Sequence, residues 1–165
     1  MLQSTQLFNY FYRMSDASLK QILFEKIMEL FDQRLHSIRL QLNAAQEAAN
    51  NETKSSAGDK YETERAMQQL NKEMFSKQLA AALQEKETAI QIQKNYKLGA
   101  VSAGALVLTT AGNFYLLSGM GKLTVEGKDF YLVAPNAPVA LELRGKKEGD
   151  EFNFQNKKQK IVSIL

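Results

Sequence analysis

Glu52, Lys54 and Asp59 stand within NNETKSSAGDKY, residues 50–61, and have the most to offer chemically. Two carboxylates supply the hard oxygens that magnesium takes, and an ammonium suits a phosphate. Each has a plainer alternative: Glu52 as a solvated loop acid, Asp59 as an acid answering the dipole at a helix start, Lys54 as a solvated charge. Elsewhere, RGKKEG at 144–149 reads as a phosphate patch or as a solvated corner before a strand. His36 sits between Leu35 and Ser37 on a helical stretch and reads as a partly exposed helix residue. SGMGK at 118–122 lacks the spacing and the following helix of a phosphate loop. Glu25, Glu29 and Asp32, with Lys26 and Arg34 around them, form a solvated helix face. With no Cys and one His, thiol chemistry and the usual zinc sites are excluded. No nucleophile lies beside an activating base, so the expectation is a protein that is not an enzyme and carries no cofactor.

The elements that hold these residues are legible from periodicity. From about Ser18 to Asn50 there is no Pro or Gly, and Leu19, Leu23, Ile27, Leu30, Phe31, Ile38, Leu42, Ala45 and Ala49 recur at helical intervals. A second run, about Ala57 to Lys94, has Ala66, Leu70, Met74, Phe75, Leu79, Ala82, Leu83 and Ile90 in similar spacing. Two such helices, each about 50 Å long, would bury their stripes on each other as an antiparallel hairpin or coiled coil. Ala44, Ala45, Ala48 and Ala49 would let them approach closely near the turn, giving a slender tip at about residues 50–58. Beyond KNYKLGA the pattern changes. ALVLTTAGNFYLLSG reads as two strands joined at Ala111-Gly112-Asn113, and KDFYLVA, DEFNFQ and QKIVSIL as three more. A short helix opened by Pro138 and closed by Gly145 precedes a turn at Gly149-Asp150. The expected fold class is α+β: a helical hairpin over 14–97, then a small, mostly antiparallel β-domain over 98–165.

The formal charge of +3 is dispersed: Arg13 alone in residues 1–13, 12 basic and 12 acidic residues in 14–97, 8 and 6 in 98–165. Sequence-specific DNA binding normally comes with a clustered basic face, so none is expected, although contact with a polyanionic assembly is permitted. No stretch approaches the roughly 18 apolar residues of a membrane span, and no membrane partner is expected. MLQSTQLFNYFYR lacks the features of a signal peptide, which makes a cytoplasmic location the expectation. Ser18 and Gln21 fit a capping box behind Met14, so residues 1–13 read as an upstream extension and Met14 as the working start.

PVALELRGKKEGDEF, Pro138 to Phe152, resembles the C-terminal pattern of the bacterial Gre transcript-cleavage factors, in which Pro opens a short helix leading through Gly-Lys-Lys-x-Gly-Asp into a strand. Pro138, Ala140, Leu143, Gly145, Lys146, Lys147, Gly149 and Asp150 match without a gap. VSAGALVLT and QKIVSIL are similar to that domain's first and closing strands. The resemblance covers about Ser15 to Leu165, with specific motifs only in the last third. It implies an FKBP-like β-domain that grips the rim of the RNA polymerase secondary channel, with Pro138, Gly145, Lys146, Lys147, Gly149 and Asp150 as docking candidates. The hairpin would then thread the channel.

The cleavage-factor tip resembles Gly-Asp-Leu-Ser-Glu-Asn-Ala-Glu-Tyr, whose Asp and first Glu hold magnesium at the polymerase active centre. Aligning Tyr61 and Ser56 to its Tyr and Ser puts Lys54 and Ala57 at the two acid positions. Both carboxylates are absent, so the expected metal site is none. Glu52 and Asp59, on either side, are the candidates for a relocated pair, against their plainer readings. Lys54 becomes a candidate for a transcript or nucleotide phosphate.

The resemblance therefore implies an elongation regulator that binds polymerase without stimulating transcript cleavage, with DNA binding that is not sequence-specific. The rival expectation is a hairpin and FKBP-like interaction module, or a coiled-coil dimer, that does not act on polymerase. Prolyl isomerase activity is a distant third, because fold alone does not carry function.

Overall fold

The computed structural model describes the backbone of residues 2–52 and 59–165, and the side chains of residues 18–48, 50 and 62–165. Helix α1 spans Leu2–Glu52 and α2 spans Asp59–Asn95. Neither contains Pro or Gly, so nothing interrupts the backbone ladder. The expected capping box at Ser18 and Gln21 is corrected: α1 runs through both residues. A side-chain cap serves amides that lack an upstream carbonyl, and inside a continuous helix they have one. Gln21 Nε2 instead donates to Glu25 Oε1 one turn on, at 2.8 Å.

The chain divides into two compact units, Lys26–Glu87 and Met1–Glu25 with Thr88–Leu165. In the first, Leu35 and Ile38 of α1 pack with Leu79 and Ala82 of α2. Arg34 pairs with Glu85 at 2.9 Å and Asp32 with Lys86. Advancing along α1 moves the partner back along α2, so the helices are antiparallel. Both ion pairs are partly exposed and contribute about 0.2–1 kcal/mol each; their larger effect is on register. On α1 the buried Leu23, Ile27, Phe31 and Ile38 lie on the expected stripe, and Leu35, not expected there, is buried with them.

The stripe expected on α2 holds at Phe75, Leu79, Ala82 and Ile90 and is corrected at Ala66, Leu70, Met74 and Leu83. Its inward positions are Phe75, Leu79, Ala82, Lys86 and Ala89, alternately four and three residues apart, all buried or half-buried. Leu70 and Met74 are 66% and 42% exposed, and Ala66 and Leu83 are exposed with them. Consecutive helical residues point about 100° apart, so Met74, one place from Phe75, is turned away from the seam.

The other unit contains a six-stranded sheet. Its strands are β1 (Leu106–Thr109), β2 (Gly112–Leu116), β3 (Gly121–Val125), β4 (Lys128–Val133), β5 (Glu151–Phe154) and β6 (Lys157–Ile164), in the order β3-β4-β2-β1-β6-β5. All neighbours are antiparallel except β2 and β4, which run parallel with Phe114 opposite Tyr131. The strand β3 was not expected from the sequence. The β1–β2 turn falls at Thr110-Ala111, with Gly112 already in β2.

Helix α3 (Pro138–Leu143) buries Ala140 and Leu143 against Val107, Phe114, Leu116, Phe152, Ile161 and Ile164. It also lies along β5, where Glu142 Oε1 accepts the Asn153 N–H at 3.4 Å.

The turns around this core carry their own chemistry. Glu126 and Gly127 have φ of 51° and 74°, which lets two residues close the β3–β4 hairpin; Gln155 and Asn156 do the same for β5–β6.

Gly104 is set by close approach as well as by conformation. Its φ is +89°, and a β-carbon there would lie 3.0 Å from Tyr96 Cβ and 3.3 Å from the Ile92 carbonyl oxygen. Gly104→Ala is therefore expected to cost about 1–3 kcal/mol, from backbone strain and displaced helix end together. Urea unfolding followed by circular dichroism checks this. A change below about 0.5 kcal/mol would show that the α2 end yields freely.

Candidate functional site

The segment from Pro138 to Asp150 is where the sequence places most of its candidate docking residues, and there the structure separates fold-making groups from free ones. Pro138 is the first residue of α3 and is exposed. Its missing N–H costs nothing there, and its fixed φ suits the helix start. Ala137 before it is extended and provides no side-chain cap. At the far end Gly145, at φ +77°, turns the chain out of the helix.

Two main-chain bonds then pin the turn: Gly145 N–H to the Val101 carbonyl and Val101 N–H to the Lys146 carbonyl, each 2.8 Å. Gly149, at φ +90°, donates its N–H to the Ile161 carbonyl, and Ile161 N–H returns to the Asp150 carbonyl, each 2.9 Å. Asp150 folds back over the corner, with its Oδ2 accepting the Lys147 N–H at 2.7 Å. Gly145, Gly149 and Asp150 are thus occupied in shaping the turn.

Lys146 and Lys147 are different. Their backbones are held by these bonds, while neither ammonium has an ion pair among the described residues. Lys147 is exposed and Lys146 half-buried. Arg144 is partly spent, since its Nη2 donates to the Pro135 carbonyl at 2.9 Å. The corner carries two lysines on a held backbone, near in sequence to the exposed Pro138 and Leu141, an arrangement suited to an acidic protein surface or a phosphate.

Sequence reasoning missed Glu148 within the same run. Its Oε1 accepts the Ile164 N–H at 2.9 Å and the Ser163 hydroxyl at 3.3 Å, closing the end of β6. Nothing in RGKKEG distinguishes that acid from a solvated one.

The other candidates fall, in sequence, where α1 ends and α2 begins. Glu52 closes α1 and Asp59 opens α2, and Tyr61 is in the first turn of α2. The side chains of all three, and Lys54, Ser56 and Ala57 entirely, lie outside the described residues. His36 is exposed on α1. Among the described residues no group of three His, Cys, Asp or Glu side chains is placed to hold a metal ion. No described helix is long and apolar enough to cross a membrane.

No protein-family model matches the chain, and neither a curated protein nor a solved structure shows significant similarity to it.

The division of labour at the corner has a direct test. Asp150→Ala removes a charge-assisted bond to a backbone amide and is expected to lower stability by about 1–3 kcal/mol. Lys147→Ala should change it by less than about 0.5 kcal/mol. Denaturant midpoints for the two variants, measured side by side, check this order.

Proposed function

We propose that the chain is a Gre-like regulator of transcription elongation that binds RNA polymerase at its secondary channel. The β-domain docks, the helical hairpin inserts, and transcript cleavage is not stimulated. The observation that carries this reading is the Pro138–Phe152 segment. Its gap-free resemblance to the Gre pattern coincides with a two-glycine corner, held by main-chain bonds, on which Lys146 and Lys147 have no ion pair among the described residues.

The antiparallel packing of α1 and α2 supports the hairpin role, and Lys54 and Ala57 in place of two acids support a tip that delivers no magnesium. Lys54 would there meet a transcript or nucleotide phosphate. A cytoplasmic location and non-sequence-specific proximity to DNA go with this role.

Capture of core RNA polymerase on the immobilised protein tests the docking step. Association is expected at moderate salt. It should weaken at least tenfold in Lys146→Glu/Lys147→Glu, a difference of about 1.4 kcal/mol, with thermal unfolding unchanged. Absence of association by the unaltered chain would end the reading. The cleavage step is tested on backtracked complexes, where added protein should leave the transcript-cleavage rate unchanged. Acceleration that disappears in Glu52→Ala or Asp59→Ala would instead assign a relocated metal pair.

A second reading has its own observation. Met67, Leu70 and Met74 form an exposed apolar stripe on α2, spaced as a partner helix would need. A module that pairs through this stripe, with itself or another protein, would give a dimer or complex by light scattering that Leu70→Glu disrupts.

A further inference from the structure

Among the described residues Tyr131 of β4 is the only exposed aromatic side chain, at 40%, and its ring is nevertheless held from two sides. It stacks on Phe114 with centroids 5.6 Å apart, and a β-carbon at Gly112 would come within 3.2 Å of it, so that glycine makes the room the ring occupies. Phe114 in turn meets Phe154 edge-on at 5.4 Å, although β1 and β6 lie between their strands. One face of the sheet therefore carries a row of three rings from β4 to β5. Helix α3 covers the middle of that face, where Ala140 and Leu143 share a core with Phe114 and Phe152, and leaves Tyr131 in water.

A basic hairpin stands at the β5 end of the row. Lys157 lies opposite Phe154 in register and so shares its face, and Lys158 and Lys160 follow on β6, while residues 152–160 contain no acid. Lys158 reaches Glu151 at 3.5 Å with both side chains exposed. Lys157 and Lys160 are exposed and have no ion pair among the described residues. Thr110, in the β1–β2 turn, clamps the hairpin: its N–H donates to the Lys160 carbonyl at 3.0 Å, and its hydroxyl accepts the Lys160 N–H at 2.9 Å and donates to Gln159 Oε1 at 2.7 Å. At the other end of the row the acid on this face, Asp129, is already matched, by Lys122 at 2.8 Å and by the Thr124 hydroxyl at 2.6 Å.

We propose that this face binds single-stranded nucleic acid, with a base stacked on Tyr131 and backbone phosphates met by the lysines of the β5–β6 hairpin. Every base has a π-face to offer a ring, and lysines without a protein partner attract a polyanion; a held ring and such cations on one surface are the pairing that an unpaired strand needs. A duplex keeps its bases stacked on each other, so it can use the lysines but not the ring. An acidic peptide has equally little use for the ring. The site involves none of Lys54, Lys146 and Lys147 and does not rest on the polymerase reading.

Fluorescence anisotropy of the full chain with labelled, mixed-sequence RNA and DNA single strands of about 12 nucleotides tests this. Binding of either strand is expected, with log affinity falling against log salt at a slope of up to about −2, as contacts from three lysines give. Tyr131→Leu should weaken binding by about fivefold or more with the slope unchanged, while Tyr131→Phe, which keeps the ring, binds as the unaltered protein does. Lys157→Gln/Lys160→Gln should flatten the slope by about 1.4. A duplex of the same length should bind about fivefold or more weakly than the single strand. Failure of both strands to bind the unaltered protein, equal affinity for the duplex, or affinity unmoved by Tyr131→Leu would overturn the proposal. Tighter binding of a polyglutamate peptide than of either strand would assign the surface to an acidic protein and overturn it as well. All the substituted side chains are exposed, and thermal unfolding checks each variant; should Tyr131→Leu fold poorly, the lysine pair and the duplex comparison still decide.

Discussion

Everything in this molecule depends on how little of each long helix the other can cover. A helix offers its partner one seam, recurring every three or four residues, and the remaining circumference must live in water. On α2 the seam is economical, with Ala82 and Ala89 fully inward and Lys86 lending its alkyl stem while its amine reaches Asp32. Small residues bring the backbones close, and the ion pairs of Asp32 and Arg34 set which turn faces which. The cost is that Met67, Leu70 and Met74 are left outside it.

The β-bearing unit solves a different problem, that of holding a polar corner rigid without filling it. Main-chain bonds from Val101 and Ile161 grip the corner at two points, and glycines at positive φ make both reversals. Because the backbone does this, the lysine side chains are not needed for the fold. Positions that shape a surface and positions that present charge on it are therefore adjacent in sequence yet separable by mutation.

Much of this was legible beforehand, for physical reasons. Long runs without Pro or Gly and with helical periodicity gave both helices, and Pro138 with Gly145 bracketed α3. Five of the strands announced themselves through aromatic and β-branched runs. The sixth, β3, did not: Gly121 and Lys122 open it and only Leu123 and Val125 are apolar, so its pairing with β4 is a tertiary decision. The facing of α2 was legible at Phe75, Leu79, Ala82 and Ile90 but not at Ala66, Leu70, Met74 and Leu83, because several registers fit a stripe that loose and only the partner helix chooses among them. Within the candidate corner, sequence could not tell Asp150 and Glu148, bound to the backbone, from Lys146 and Lys147, whose ammonium groups have no ion pair among the described residues.

The two outer strands of the sheet face the solvent unequally. At β5 one of the backbone donors that an incoming strand would seek, the Asn153 amide, is already taken by Glu142 from α3. At β3 Lys122, the second residue of the strand, pairs across to Asp129 of β4. The sheet is thus asymmetric toward addition. A foreign strand that extended it at β3 would have to displace or match that ion pair, so charge guards that side.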